Sequence, residues 1–419
     1  MLLQKPAFLL FYHTRAAEAS FGEWLGVLWH GLSLDCTVAG YVTAFPVVVV
    51  LASFWIPLSQ RVWRIILTVY FSLIALVTAA IFAVDLNLYG YWGFRLDGSV
   101  LIYLADPGEA LASASWGEVL RQIIIMLVYA GAMIWSYRRI LRLFRVEPVS
   151  LRGRIVPTVA ALLIGGLTFL AIRGGVTVAT ANVSKVYFSS NMFLNHAATN
   201  PVFSFLSSVG DNENYAEAYP FFEEERRKTL FEELRGNRPG ADAGTPRLLR
   251  SDRPNVVLIL LESFGRTIMD ETVNGEPVMP NMQRFKREGV WFENFFANSF
   301  RTDRGQVAVL CGFPAQTTMS IMKLPRKSAT LPSLARSLGR EGYRSVFMYG
   351  GDLNFTNQAS FMYSTGWEEL IWQKDMQLDA PTSKWGYADD VVVDLFGDEV
   401  EALGRAEQPF LAGLLTLSS

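Results

Sequence analysis

The chain has 419 residues, of which 51% are hydrophobic and only 18% are charged, and its mean hydropathy is +0.24. This composition excludes a wholly soluble protein, and the length is sufficient for two or three domains of about 100–200 residues each. The 37 basic and 39 acidic residues leave a net charge of −2, so no basic field draws the chain to nucleic acid. Two cysteines, far apart in sequence, exclude a disulfide scaffold and a cysteine-ligated zinc site.

The first half of the chain contains four stretches of about 20 mostly apolar residues, the length of a helix that spans a bilayer. They lie at 38–58, 65–85, 119–137 and 155–173. Because polar residues are almost absent from them, they are typical of an anchor rather than of a transporter. A shorter apolar piece at residues 6–12 is either part of a first helix or an interfacial segment.

Basic residues in the short loops predict the orientation of these spans. Arg61 and Arg64 follow the first span, and six arginines lie between residues 138 and 154, so we place both loops in the cytoplasm. The acidic loop at 86–118 and everything after residue 174 are then outside.

A mixed segment follows the last span. We interpret residues 176–206 as juxtamembrane helices, with His196 as a packing or capping residue, and residues 220–235 as an exposed helix before a flexible linker. The predicted domains are a transmembrane anchor at 1–175, juxtamembrane helices and linker at 176–253, and an extracytoplasmic domain at 254–419.

After Pro254, short apolar runs alternate with amphipathic stretches, which predicts an α/β domain with a doubly wound, mainly parallel sheet. The first run, at 256–262, is continuously apolar and is typical of a fully buried strand. Further strands are predicted at 290–296, 344–350 and 410–418. Helices are predicted after Pro280 and at about 304–311, 331–341 and 388–403.

Ligands bind at the carboxyl ends of the strands in such sheets, and two candidate residues lie there. Glu262 ends the first strand and is a candidate metal ligand, with a helix-capping or surface glutamate as the alternative. Thr302 precedes a helix of small residues, where the positive end of the helix favours a phosphoryl group. The alternative for Thr302 is a simple helix N-cap.

The third predicted strand ends in GGDLNFTN, residues 350–357, in which Asp352, Asn354 and Asn357 offer polar groups beside two glycines. No P-loop, GxGxxG or GxSxG motif occurs at a usable position, which disfavours nucleotide binding and serine-hydrolase chemistry.

Several segments together resemble the sulfatase-like membrane phosphotransferases of the alkaline phosphatase superfamily, which include lipoteichoic acid synthases and phosphoglycerol transferases. They are NVVLILLESFG, FRTDRG, GFPAQTT, SLGREGYRSVFMYGGDLNFTN, SKWGYADD and PFLAGLLTLSS, in that order behind several apolar helices. The resemblance implies a membrane helical bundle followed by a domain of alkaline phosphatase type. It also implies a multi-pass protein of the bacterial cytoplasmic membrane.

The resemblance implies roles for four residues. Glu262 and Thr302 would bind a divalent cation, usually Mn²⁺, with Mg²⁺ and Zn²⁺ as alternatives, and Thr302 would carry a phosphoglycerol group as a covalent intermediate. Asp352 and Asn357 would line the phospho-substrate pocket. From their charge alone, Arg301 or Arg304 is a candidate phosphate contact.

The expected function is transfer of a phosphoglycerol or related phosphoester group from a membrane phospholipid to an envelope glycan or lipid. The alternatives are a hydrolase of sulfate or phosphate esters and an inactive envelope-binding membrane protein. A formylglycine sulfatase is disfavoured because threonine occupies the nucleophile position.

The family completes its metal site with a downstream Asp–His pair and uses a further histidine after the strand that ends here in LLTLSS. His13, His30 and His196 all precede the α/β domain and cannot supply these groups. We therefore expect the sequence to be part of a longer enzyme, with an incomplete catalytic site.

Overall fold

The computed structural model describes residues 1–98, 100–103, 115–145, 150, 152–209, 221–235, 249, 251–316 and 319–417. Two expectations lie outside the described residues: most of the flexible linker before residue 253, and the acidic side chains of Asp106 and Glu109.

Among the described residues of the membrane half, four helices are long and apolar enough to cross a bilayer, which confirms the four predicted spans. The first begins well before residue 38, because Ser20 and Glu23 form a capping box at its start. The helices of this half are α1 (Gln4–Phe11), α2 (His13–Ala16), α3 (Phe21–Ser53), α4 (Gln60–Trp92), α5 (Val100–Tyr103), α6 (Trp116–Leu141) and α7 (Ile155–Arg173).

Two buried ion pairs lie inside this apolar half. Lys5 of α1 contacts Asp35 of α3 at 2.6 Å, and Asp85 of α4 contacts Arg95 at 2.9 Å. Phe8 of α1 is fully buried, so the short first helix packs among the others. The spans therefore hold charged groups that their mean hydropathy does not reveal.

The arginine-rich loops lie together at one end of the helices. Gln60 and Arg64 both donate hydrogen bonds to the carbonyl of Phe144, which joins the loop after α3 to the end of α6. This clustering agrees with the predicted common side for both loops.

Short helices follow α7 and lead to the second half of the chain. They are the 3₁₀-helix Val183–Val186, α8 (Met192–Ala198), α9 (Pro201–Ser208) and α10 (Glu224–Arg235), the last matching the predicted exposed helix. His196 is buried, and its Nδ1 lies 3.1 Å from the Tyr89 hydroxyl, as expected for a packing residue.

The second half is an α/β domain with a four-stranded parallel sheet in the order β1-β6-β4-β5. Its elements are β1 (Val256–Leu260), α11 (Arg266–Met269), β2 (Thr272–Val273), β3 (Glu276–Pro277), α12 (Pro280–Glu288), α13 (Thr302–Cys311), α14 (Pro325–Ser328), α15 (Leu334–Arg340), β4 (Arg344–Tyr349), α16 (Gln358–Ser364), β5 (Glu369–Trp372), α17 (Asp389–Gly404) and β6 (Phe410–Leu415).

Apolar clusters cover both faces of this sheet. Phe347 and Leu411 face a cluster with Trp367, while Val346 and Ala412 face the other side, against α17. This arrangement confirms the doubly wound, mainly parallel α/β fold.

Two strand predictions are wrong in detail. Residues 290–296 form no strand, and Phe295 and Phe296 are 77% and 83% exposed, because no described strand pairs with this segment. The first strand is not fully buried. It lies at the edge of the sheet, and alternate residues such as Val257 and Ile259 are about half exposed. The short strand β5 was not predicted.

Polar contacts join the α/β domain to the other end of the membrane helices, away from the arginine-rich loops. Arg326 Nη1 lies 3.3 Å from Asp97 Oδ1, just beyond α4. The Asn182 amide donates to the carbonyl of Asn354 at 2.8 Å, and the backbone N–H of Ser360 donates to the Ser184 hydroxyl at 3.0 Å. The domain is thus held directly on the helix ends.

Candidate active site

The carboxyl ends of β1, β4 and β6 open into a cleft of about 900 Å³. Its walls include Glu262 after β1, Thr302 at the start of α13, and Tyr349 at the end of β4. The cleft therefore lies where parallel α/β sheets bind their ligands.

Glu262 is positioned by the neighbouring strand. Its backbone N–H donates to the Thr416 hydroxyl at 2.7 Å, and the backbone N–H of Thr416 donates to the carbonyl of Leu260 at 3.0 Å. The next residue, Ser263, has a φ of +55°, a left-handed conformation that is costly for a residue with a Cβ. Pairing of β1 with β6 and this sharp turn together fix the Glu262 carboxylate at the cleft.

Thr302 is the first residue of α13, and its hydroxyl donates to Glu262 Oε2 at 2.7 Å. Arg301 occupies the N-cap position, and no side chain caps the helix there. The alternative interpretation of Thr302 as a simple N-cap is therefore wrong. Its oxygen lies beside a carboxylate and at the positive end of a helix dipole.

The two candidate arginines lie in different environments. Arg301 lines the cleft, is about half exposed, and contacts Asp303 at 3.3 Å. Arg304 is buried against Phe300 and is not among the described residues that line the cleft. Only Arg301 is placed to meet a phosphate in this cleft.

The predicted substrate residues Asp352 and Asn357 do not line the cleft in the described part of the chain. Asp352 accepts the backbone N–H of Asn354 at 2.9 Å, and Asn357 is buried with its amide donating to the carbonyl of Lys323 at 3.4 Å. The residues between them, Phe355 and Thr356, line the cleft instead. The predicted segment 350–357 therefore reaches the cleft, but with the side chains of Phe355 and Thr356.

Sequence reasoning missed several cleft residues. Thr416 supports Glu262, and Tyr349 lies near the carboxylates of Glu262, Asp352 and Asp389. Burial first, and then these negative charges, raise the pKa of the Tyr349 hydroxyl, so it stays protonated at neutral pH. Both residues lie at or just after strand ends, and applying the strand-end rule to β4 and β6 would have found them.

Glu262 and Thr302 supply two hard oxygen donors of the kind that Mg²⁺ and Mn²⁺ prefer. Among the described residues, no group of three or more His, Cys, Asp or Glu side chains could hold a metal ion. The donor chemistry fits a divalent cation, and these two side chains would provide part of its coordination.

Comparison with known proteins shows which family the α/β half resembles. Residues 254–419 match the sulfatase family model. The α/β half is therefore similar to sulfatases, in agreement with the resemblance that the sequence motifs carry.

The chain is similar to particular members of this class. Phosphoglycerol transferase I of Xanthomonas campestris pv. campestris is 35% identical over 180 residues, which cover 40% of this chain and 25% of that protein. Phosphoglycerol transferase I of Salmonella paratyphi B is 28% identical over 174 residues, which cover 39% and 23%. The chain thus spans about a quarter of the length of these curated relatives.

Two solved structures are also similar. An alkaline phosphatase superfamily protein from Vibrio parahaemolyticus has 29% identity and a TM-score of 0.38, with 41% of each chain covered. The lipoteichoic acid synthase LtaP from Listeria monocytogenes has 20% identity and a TM-score of 0.37, with 39% of this chain and 40% of that chain covered.

Proposed function

We propose that the α/β domain transfers a phosphoglycerol or related phosphoester group from a membrane phospholipid to an envelope glycan or lipid, with Thr302 as nucleophile. The observation that carries this proposal is the 2.7 Å hydrogen bond from the Thr302 hydroxyl to Glu262 at the start of a helix. Similarity to two phosphoglycerol transferases supports the choice of transferred group.

In the proposed reaction, Thr302 Oγ1 attacks the phosphorus of the donor phosphodiester. Its proton has Glu262 Oε2 as nearest acceptor, and the bond from phosphorus to the diacylglycerol oxygen breaks, with water protonating the leaving oxygen. An acceptor hydroxyl then attacks the phosphorus of the phosphoglycerol-threonine and gives its proton to the hydroxide left by that water. Glu262 returns a proton to Thr302 Oγ1 as its bond to phosphorus breaks. The positive end of α13 and the exposed Arg301 stabilise the charged phosphoryl oxygens.

Glu262 and Thr302 are the proposed ligands of a divalent cation, with Mn²⁺ the first choice and Mg²⁺ or Zn²⁺ the alternatives. When bound, the cation would favour the deprotonated hydroxyl and neutralise phosphoryl charge. The chain itself positions the two side chains. Thr416 and the turn at Ser263 hold Glu262, and α13 orients Thr302.

A lipid donor is favoured over a soluble one by the contacts between the two halves of the chain. The Asp97–Arg326 pair and the Asn182–Asn354 hydrogen bond hold the domain on the helix ends. We place the domain on the extracytoplasmic face of the bacterial cytoplasmic membrane, because the arginine-rich loops lie at the opposite end of the helices.

The proposal is tested with the full chain in vesicles of phosphatidylcholine and phosphatidylglycerol, by measuring diacylglycerol release with and without a glycan acceptor. We expect Thr302→Ala to lower turnover at least about a thousandfold, as for loss of other enzyme nucleophiles. Thr302→Ser should retain measurable turnover. Thr229→Ala, on the exposed helix α10, is the matched control, and chelation followed by Mn²⁺ should abolish and restore activity.

Equal turnover in the wild-type protein and Thr302→Ala would overturn the proposal. Release that does not respond to any acceptor would instead support the ester hydrolase. A chain that binds lipid but never releases diacylglycerol would support the inactive envelope-binding protein.

A further inference from the structure

A second cavity, of about 710 Å³, lies between the membrane half and the α/β domain, and we call it the seam cavity. Its lining comes from residues 94–97 after α4, from residues between 178 and 208 after α7, and from residues 323–327 and 355–357 of the α/β domain. Both halves of the chain are therefore needed to form it. Its volume is in the range of ordinary small-ligand sites.

Three buried polar side chains belong to this lining without using all their hydrogen-bonding atoms. His196 Nε2, Asn357 Oδ1 and Arg95 Nε are buried and have no hydrogen-bond partner among the described residues. Each of these three side chains is less than 10% exposed. Buried polar atoms are normally satisfied, so unpaired atoms at a cavity wall point to a polar ligand or water.

Two of these atoms are already oriented by their surroundings. The Tyr89 hydroxyl lies 3.1 Å from His196 Nδ1, so Nε2 is the ring nitrogen that has no partner among the described residues. Asp85 holds Arg95 at 2.9 Å, and Arg95 also donates to the carbonyl of His196 at 3.2 Å. The groups are thus fixed before any ligand arrives, which lowers the entropic cost of binding.

The charge of the lining favours an anion. Arg95, Lys323, Arg326 and Lys327 line the cavity. Asp85 pairs with Arg95 and Asp97 pairs with Arg326, so the positive excess of the lining comes from the two lysines. Lysine and arginine side chains are the usual partners of phosphate oxygens.

The remaining lining combines hydroxyl and amide side chains with three phenylalanines. Phe94, Phe203 and Phe355 belong to it. The cavity begins two residues beyond α4, a helix of 33 residues and therefore about 50 Å long, against a hydrocarbon core of about 30 Å. The end of α4 thus reaches the head-group layer or beyond, where a lipid presents phosphate next to acyl chains.

We propose that the seam cavity binds the phosphodiester head group of an anionic glycerophospholipid, at a site distinct from the Thr302 cleft. Phe355 and Thr356 line both cavities and form a shared wall between them. The site therefore presents a lipid directly beside the cleft. This inference rests on the proposed function for its choice of lipid, but its binding test does not require turnover.

The test measures lipid retention by native mass spectrometry on the full chain. The protein is extracted from nanodiscs that contain phosphatidylcholine and a minor fraction of phosphatidylglycerol, so that a retained phosphatidylglycerol reports selective binding. We expect one retained phosphatidylglycerol in the wild type and in Thr302→Ala. The double variant Lys323→Glu/Lys327→Glu should bind at least about tenfold more weakly, because two cations near the phosphate are reversed. The control Lys228→Glu/Lys286→Glu makes the same charge change outside the cavity and should retain the lipid.

A competition experiment tests whether the bound phosphodiester belongs to a lipid or to a soluble phosphate ester. Soluble glycerophosphoglycerol should not displace the lipid at equal concentration if the phenylalanines of the lining contribute to binding. If it displaces the lipid as well as added phosphatidylglycerol does, a free phosphate ester is the ligand and the lipid assignment is overturned. Loss of retention in Thr302→Ala would place the lipid in the catalytic cleft and overturn a separate seam site. Retention unaffected by Lys323→Glu/Lys327→Glu would also overturn it. Retention by the wild type without diacylglycerol release would leave this inference standing while the proposed function failed.

Discussion

Replacing Thr416 with valine tests the contact that holds Glu262 at the cleft. The Thr416 hydroxyl accepts the Glu262 backbone N–H at 2.7 Å, and Thr416 is only 8% exposed. Valine has nearly the same shape but no hydroxyl, so the backbone N–H of Glu262 loses its acceptor. An unsatisfied buried donor costs about 1–3 kcal/mol, and a cost of about 2 kcal/mol would lower the Tm of a domain of this size by about 4–8 °C.

The assay is thermal unfolding of the full chain in detergent, followed by near-ultraviolet circular dichroism, together with diacylglycerol release. Displacement of Glu262 should lower kcat about tenfold with little change in KM, because the contact orients the reacting hydroxyl rather than the substrate. Thr416→Ser keeps the hydroxyl and is the matched control, with Tm and kcat near the wild-type values. If the serine and valine variants lose the same amount of stability and activity, the hydrogen bond does not position Glu262 and the reasoning is refuted.

Three further results are expected. Asp85→Asn leaves Arg95 buried without its charge partner, which should destabilise the membrane half by about 3–5 kcal/mol and lower the apparent Tm in detergent. Burial lowers the pKa of His196 to about 3, so the folded protein holds it neutral while the unfolded chain takes up a proton below about pH 6.5. Stability should therefore fall by about 1.4 kcal/mol for each pH unit between about 6 and 3, measured by urea unfolding. The isolated α/β domain should self-associate through its exposed phenylalanines, and Phe295→Ser/Phe296→Ser should reduce the apparent mass in size-exclusion chromatography.

Each of these results has its own control. Adding Arg95→Met to Asp85→Asn should recover part of the lost Tm, and an unchanged Tm in the single variant would contradict a structural role for the pair. His196→Phe should remove most of the acid sensitivity; if the slope is unchanged, other groups cause it. A monomeric wild-type domain at high concentration would show that the exposed phenylalanines do not associate.

The sheet and the spans were predictable because their signals are local. The run that became β6 is continuously apolar, the run that became β4 is apolar after Ser345, and the helix at α17 has a clear amphipathic pattern. The segment 290–296 has the composition of a strand, but a strand also needs a neighbouring strand. None of the described strands pairs with this segment, and the sequence alone does not reveal that.

The candidate site was predictable at two residues and not at others. Glu262 and Thr302 stood out because each is a polar group at the end of a strand or the start of a helix. Their 2.7 Å separation depends on how α13 packs beside β1, which sequence spacing does not encode. Asn357 lines the seam cavity and is not among the described residues of the cleft; its backbone is left-handed, with a φ of +66°, next to Phe355 and Thr356, which line both cavities.

In the proposed function, the polar contacts between the two halves of the chain fix the position of Thr302 relative to the ends of the membrane helices. Arg326 and Asp97, Asn182 and Asn354, and Ser184 and Ser360 fasten the domain at separate points, so the connection does not act as a loose tether. Lengthening the linker at 236–248 should then leave the reach of the nucleophile unchanged. In the proposed function, the lipid donor must then bind at a fixed position relative to the helix ends, whereas an acceptor of any length can enter from the aqueous side.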